Sequence, residues 1–213
     1  IAVGTVSLPV LSRAFKKNNV FKISNIQSRS VELSLLLSIP ASFGLILASE
    51  EIVSALFGYG SFNLKNVEMT ALALKFFGYG VPAFALIKIL SNFLFARNNT
   101  KTPFYISSFI VFLNIILSIS FFRSYGFIVI PAATSISAWT GVLIYLYFLN
   151  NRNYLLFRSY LPYNIFKIIL STIVMCFVLL FALDHYANYL DFYYKYKSVY
   201  LMLIVSFVTV VYL

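Results

Sequence analysis

Six carboxylates, one histidine and one cysteine are all that 213 residues offer for acid–base, metal or thiol chemistry. Charged residues make up 10% of the chain, against about 25% in a soluble domain. A water-soluble fold of this size could not cover itself with so few. The sequence holds no HExxH, no glycine-rich phosphate loop and no carboxylate at the centre of a long apolar block. An enzyme reading therefore has little to stand on, and no catalytic residue, cofactor or metal is expected. His185 stands beside Asp184 in a connecting segment, and the two read as a helix-end polar pair. Cys176 lies in an apolar run and reads as a packed thiol, with no CxxC motif or disulfide framework around it. No signal peptide is read at the start, because no basic stretch precedes the first apolar residues.

What is abundant is apolar. Hydrophobic residues make up 61% of the chain, and several blocks exceed the ~18 residues that mark a membrane-crossing helix. The fold class expected is all-α, a polytopic membrane helix bundle. Complete spans are read at 31–57, 69–95, 104–122, 127–149 and 163–183, with shorter pieces at 1–12 and 198–213 that look cut. Strands fit poorly, since membrane barrels alternate over segments of about ten residues. Pro40 and Gly44 lie where they could kink the first complete span. Polar stretches at 13–30, 96–103 and 150–162, the turns at 58–63 and 123–126, and a loop at 184–197 separate the blocks. Pro103 suits the first turn of a helix, where its missing N–H has no partner to lose.

The net charge of +10 does not indicate nucleic acid, because the cations sit in short gaps and form no continuous face. Alternating spans place Arg13, Lys16, Lys17, Lys22, Arg29, Arg97, Lys101, Arg152, Arg158 and Lys167 on one side. The other side holds Lys65, Arg123, Lys195 and Lys197 with Glu50, Glu51, Glu68, Asp184 and Asp191. The positive-inside rule makes the first side cytoplasmic. Tyrosines bracket both interfaces: Tyr145, Tyr147, Tyr154, Tyr160 and Tyr163 at one, Tyr186, Tyr189, Tyr193, Tyr194 and Tyr196 at the other.

Two lysines fall inside a span. A cation at the bilayer centre costs about 2.5–3.5 kcal/mol on insertion scales. Lys75 lies early enough to snorkel to the outer interface. Lys88 is deeper, and two readings stand: it snorkels towards Arg97, or it faces a water-filled cavity and meets an anionic substrate. Upstream, Gly78-Tyr79-Gly80-Val81-Pro82 weakens the helix, as a transport hinge or as a close-packing surface would require. Asn92, Asn114, Ser118, Ser120, Thr134, Ser135, Ser137 and Thr140 read mainly as interhelical hydrogen-bond partners.

These residues resemble a known family. Leu86-Ile87-Lys88-Ile89-Leu90, followed by Phe93-Leu94-Phe95-Ala96-Arg97-Asn98-Asn99-Thr100-Lys101-Thr102-Pro103, is similar to a signature of MurJ/MviN-type lipid II flippases. Gly4-Thr5-Val6-Ser7-Leu8-Pro9-Val10-Leu11-Ser12-Arg13 resembles the end of that family's eighth helix. Leu56-Phe57-Gly58-Tyr59-Gly60-Ser61-Phe62 resembles its Leu-Phe-x-x-Gly-x-Phe turn. Phe95 and Asn99 depart from the tyrosine and aspartate common there. The resemblance implies the C-terminal lobe of a two-lobe, fourteen-helix transporter fold, from the end of helix eight through helix fourteen. It implies outward movement of a lipid-linked cell-wall precursor across the bacterial inner membrane by alternating access. The partners implied are that precursor, the lipid bilayer and an N-terminal lobe of the same protein that carries most of the cavity arginines. Lys88 becomes the substrate-cavity candidate, and Arg97, Lys101, Thr102 and Pro103 a cytoplasmic-loop motif. The last two helices would form a groove for the lipid tail. Rival readings are an exporter of another lipid-linked glycan or of drugs, a membrane-embedded lipid-modifying enzyme, and a non-transporting scaffold.

Overall fold

A computed structural model describes residues 2–17, 19–58, 63–190 and 197–212. Tyr59–Phe62 of the turn motif and Asp191–Tyr196 lie outside the described residues, as do the side chains of Gly4–Val6, His185, Tyr186, Tyr189 and Lys197. The described chain is a run of helices: α1 (Ala2–Lys16), α2 (Val20–Leu47), α3 (Ser49–Phe57), α4 (Leu64–Phe95), α5 (Lys101–Tyr125), α6 (Val129–Asn151), α7 (Leu161–Leu190) and α8 (Lys197–Tyr212). A 3₁₀ turn at Gly126–Ile128 joins α5 to α6. Among the described residues four helical stretches are long and apolar enough to cross a membrane: α2, α4, the α5–α6 unit and α7 as far as Asp184.

The helix ends depart from the hydropathy blocks for identifiable reasons. Residues 13–30 do not form a polar connection, because α2 starts at Val20. The Asn19 side chain caps it by accepting from the Lys22 N–H at 2.9 Å. Gln27, Ser28 and Ser30 are buried there and face other protein, not water. The 31–57 block is two helices. Ala48 closes α2 by donating its N–H to the Gly44 carbonyl, and α3 restarts at Ser49. Glu50 and Glu51 lie in the first turn of α3, where carboxylates complement the helix dipole. At the other end of the chain, α7 runs on through Leu190, past the expected loop start at Asp184. Gly126, at φ 68°, ends α5 in a conformation that only glycine adopts without strain.

Helix α2 is central, packed on α1, α4 and α7; α4 in turn packs on α6, and α5 on α6. Helix α8 packs on α7 and α3. The α2/α4 seam is built from small residues. Ser34, Ser38 and Ser42 recur every fourth position and are buried. A Cβ added at Gly78 would meet Ile46 Cγ1 of α2 at 2.9 Å; on the α6 side of α4, one at Gly80 would meet Ser135 Oγ at 2.6 Å. Small residues let helix backbones approach closely where lipid gives no hydrophobic drive to associate.

Two prolines sit well inside α2 and α4, and each removes an N–H from the ladder. Pro82 leaves the Gly78 carbonyl without its usual partner, and Ser42 Oγ donates to it at 2.7 Å. Pro40 leaves the Leu36 carbonyl likewise, and the Tyr212 hydroxyl donates to it at 2.8 Å. Around the Pro82 bend, Ser135 Oγ donates to the Phe76 carbonyl at 2.6 Å and Trp139 Nε1 to the Tyr79 carbonyl at 2.9 Å. In hydrocarbon a freed carbonyl must find a protein donor, and neighbouring helices supply it here.

Candidate functional site

Three places in the fold bear on function: a groove at Lys88, a polar cluster at the basic end of the bundle, and an apolar groove beside α8.

Lys88 is exposed on the last third of α4 and opens on a groove of about 570 Å³. Thr100 and Ser107 line that groove with Phe84, Phe95 and Phe104; Ser91 and Tyr145 line it too but are buried, the Tyr145 hydroxyl donating to the Pro103 carbonyl at 3.5 Å. Among the described residues the Lys88 ammonium has no hydrogen-bond or ion-pair partner, while its backbone carbonyl accepts from Ser91 Oγ at 3.0 Å. Pro103 lines the same groove, so the start of α5 and the end of α4 form two of its walls. An exposed cation ringed by hydroxyls and aromatics suits an anionic, hydroxyl-rich ligand, whose oxygens take the hydrogen bonds and whose ring faces stack.

Of the loop motif, only Pro103 joins Lys88 there. Lys101 is exposed as the first residue of α5. Thr102 serves the turn: its N–H donates to Asn99 Oδ1 at 3.1 Å, and its Oγ1 accepts from Asn99 Nδ2 at 2.9 Å. Asn98, at φ 59°, reverses the chain. Arg97 faces inward. Its guanidinium lies 4.3 Å from the centre of the Phe15 ring and 3.8 Å from that of Tyr154, and Nη2 donates to the Tyr154 carbonyl at 3.4 Å. Burial lowers its pKa from the ordinary value, and the nearby Tyr154 partly opposes that shift. The position of Arg97 is that of a structural cation between α1, the α4–α5 turn and the α6–α7 connection.

The same connection is lashed to α2 by residues that the sequence reading passed over. Gln27 donates to the Tyr154 carbonyl at 3.1 Å and accepts from the Leu156 N–H at 2.9 Å. Ser28 Oγ accepts from the Arg158 N–H at 2.9 Å. Asn25 Oδ1 accepts from Arg158 and from the Tyr160 hydroxyl, at 3.3 and 3.1 Å. Asn164 Nδ2 donates to Glu32 at 3.0 Å. The signal that could have found them is the uncharged polar trio Asn25, Gln27 and Ser28 inside a segment otherwise read as basic loop.

Beside α8, a groove of about 480 Å³ runs between α2, α7 and α8. Its walls include Leu37, Gly44, Ile52, Met175, Leu179 and Val205, and Tyr212 lines it with its hydroxyl on the Leu36 carbonyl of α2.

A family model described as "Lipid II flippase MurJ" matches residues 1–200. The chain belongs to the MurJ family. Its relatives include a probable lipid II flippase MurJ of Rhizobium tropici, 34% identical over 82% of this chain and 33% of that protein. One from Rickettsia prowazekii (strain Madrid E) is 31% identical over 87% of this chain and 37% of the relative. The lipid II flippase MurJ of Thermosipho africanus (strain TCF52B) is 31% identical over 84% of this chain and 35% of that protein. A solved structure titled lipid II flippase MurJ, inward closed conformation, superposes with a TM-score of 0.78 at 27% identity, covering 100% of this chain and 41% of its own. The chain thus spans about a third of the length of the curated relatives it matches. Within the MurJ family frame it is a membrane helix bundle of transporter type.

Proposed function

We propose that the protein to which this chain belongs carries lipid II, a lipid-linked peptidoglycan precursor, from the cytoplasmic to the outer leaflet of the bacterial inner membrane. The observation that carries the reading is the family match over residues 1–200, on a fold that superposes along its whole length with a flippase of that name. The physical task is to take a pyrophosphate and its sugars past hydrocarbon, which is prohibitive without a polar, cationic path. Lys88 supplies a cation to that path, and the hydroxyls and rings around it suit the glycan. The basic end of the bundle is the cytoplasmic side, by its surplus of Arg and Lys. On that orientation the Lys88 groove, which reaches Thr100 and Pro103, opens near the leaflet from which the substrate comes. The α2/α7/α8 groove takes the lipid chain, and a lobe outside this chain supplies the rest of the cavity. The protein acts as a carrier: alternating access comes from rocking of one lobe against the other.

The test is growth. Lys88→Ala in the full-length protein should abolish rescue of a flippase-depleted strain while membrane expression stays at the level of the unaltered protein. Normal growth of that variant would remove Lys88 from the path. Failure of the unaltered protein to rescue would favour a related exporter of another lipid-linked glycan.

A further inference from the structure

We infer that Tyr212 is a releasable strap across the groove between α2 and α8. Helix α8 rests on α7 and α3, and the groove separates its second half, from Val205 to Tyr212, from α2. The two helices run antiparallel. Ala48, at the C-terminal end of α2, and Ile52 of α3 lie at one end of the groove, and the hydrogen bond from Tyr212 to the Leu36 carbonyl, at 2.8 Å, bridges the end nearer the basic face of the bundle, where the same hydroxyl also meets Ser171 and Thr172 of α7. The acceptor exists because Pro40, four residues on, has no N–H to give Leu36. The proline therefore does more than bend α2: it presents a bare carbonyl to the groove, and the aromatic hydroxyl of α8 takes it. With the bond made, the basic-side end is spanned. With it broken, α8 is held by α7 and α3 alone and can swing from α2. What would pass the strap is a long hydrocarbon chain, a part of the inference that rests on the carrier reading. The strap itself does not.

Spin labels at Leu37→Cys and Val205→Cys, on facing walls of the groove in a full-length protein free of other cysteines, read the separation of α2 and α8 in lipid without any substrate. Tyr212→Phe should raise the ratio of long to short separations about threefold, the mean worth of one interhelical hydrogen bond in a bilayer. Adding Pro40→Ala, which restores an N–H for Leu36, should recover the thermal stability lost by Tyr212→Phe but leave the separation long. Ser42→Ala, which acts on the other side of α2, should leave the separation unchanged. The strap is overturned by unchanged distances in Tyr212→Phe, by their return to the short value on adding Pro40→Ala, or by an equal shift in Ser42→Ala. Rescue of the depleted strain by the unaltered protein tests the carrier reading separately.

Discussion

Helix α2 carries a proline-type defect on one flank and repairs a second on the other, by opposite means. On the α4 side, the carbonyl freed by Pro82 is met by Ser42 in a buried seam where Gly78 leaves no room for a side chain. On the α8 side, the carbonyl freed by Pro40 is met by Tyr212, which lines a groove of about 480 Å³. The local defect is the same in both. A short hydroxyl on a neighbouring backbone fixes a bend permanently, because the helices must separate before it can let go. A long aromatic arm that packs on its own side of a groove and keeps the Ser171 and Thr172 hydroxyls of α7 as partners can let go of α2 without the helices first separating. The difference shows how a membrane bundle can hold rigid and yielding contacts within a few turns of one helix.

That contrast can be broken in steps. Gly78→Leu should have the largest effect, since its first added carbon already falls 2.9 Å from Ile46. Overpacking of this kind costs about 1–3 kcal/mol, read as a lower midpoint of thermal unfolding in detergent. Ser42→Ala should follow, because it strands a buried carbonyl at a cost of about 1–2 kcal/mol. Pro82→Ala in the same chain should restore most of that loss, by returning the missing N–H to Gly78. Arg97→Lys offers a yardstick away from both flanks. It keeps the charge but loses planar stacking on Phe15 and Tyr154, which is worth about 1 kcal/mol by the usual strength of such contacts. Tyr212→Phe should cost least, about 0.6 kcal/mol, and should be the one change of the four that alters the distance between α2 and α8. A loss from Tyr212→Phe as large as that from Ser42→Ala would erase the distinction between seam and strap.

Hydropathy made the helices legible where apolar residues stay exposed on the bundle, as along α5 and α6. It misjudged α2 at both ends. At the start, Asn25, Gln27 and Ser28 look like loop but are buried partners of the α6–α7 connection. At the finish, an apolar run hides the break at Ala48, where the backbone leaves helical geometry at φ −104° and ψ 20° with no change of polarity to mark it. Lys88 stood out as a charge within an apolar block. Ser107 and Tyr145, which share its groove, carried no such mark, because their meeting depends on how α5 and α6 lie against α4. Arg97 looked like one more loop cation, and only the rings on either side of it give its role. The capped prolines lay beyond any sequence reading, since Pro40 and Tyr212 are far apart along the chain.

The carbonyl of Tyr154 takes hydrogen bonds from Gln27 and from Arg97 together. One oxygen atom thereby fastens the foot of α2 and the foot of α4 to a single loop, while Phe15 of α1 presses on the same guanidinium. Four pieces of chain are knotted into one plinth at the basic face. Any tilting of the bundle has to be taken up farther along the helices, where the backbone leaves helical geometry at Ala48 and Pro82 has removed a rung of the α4 ladder.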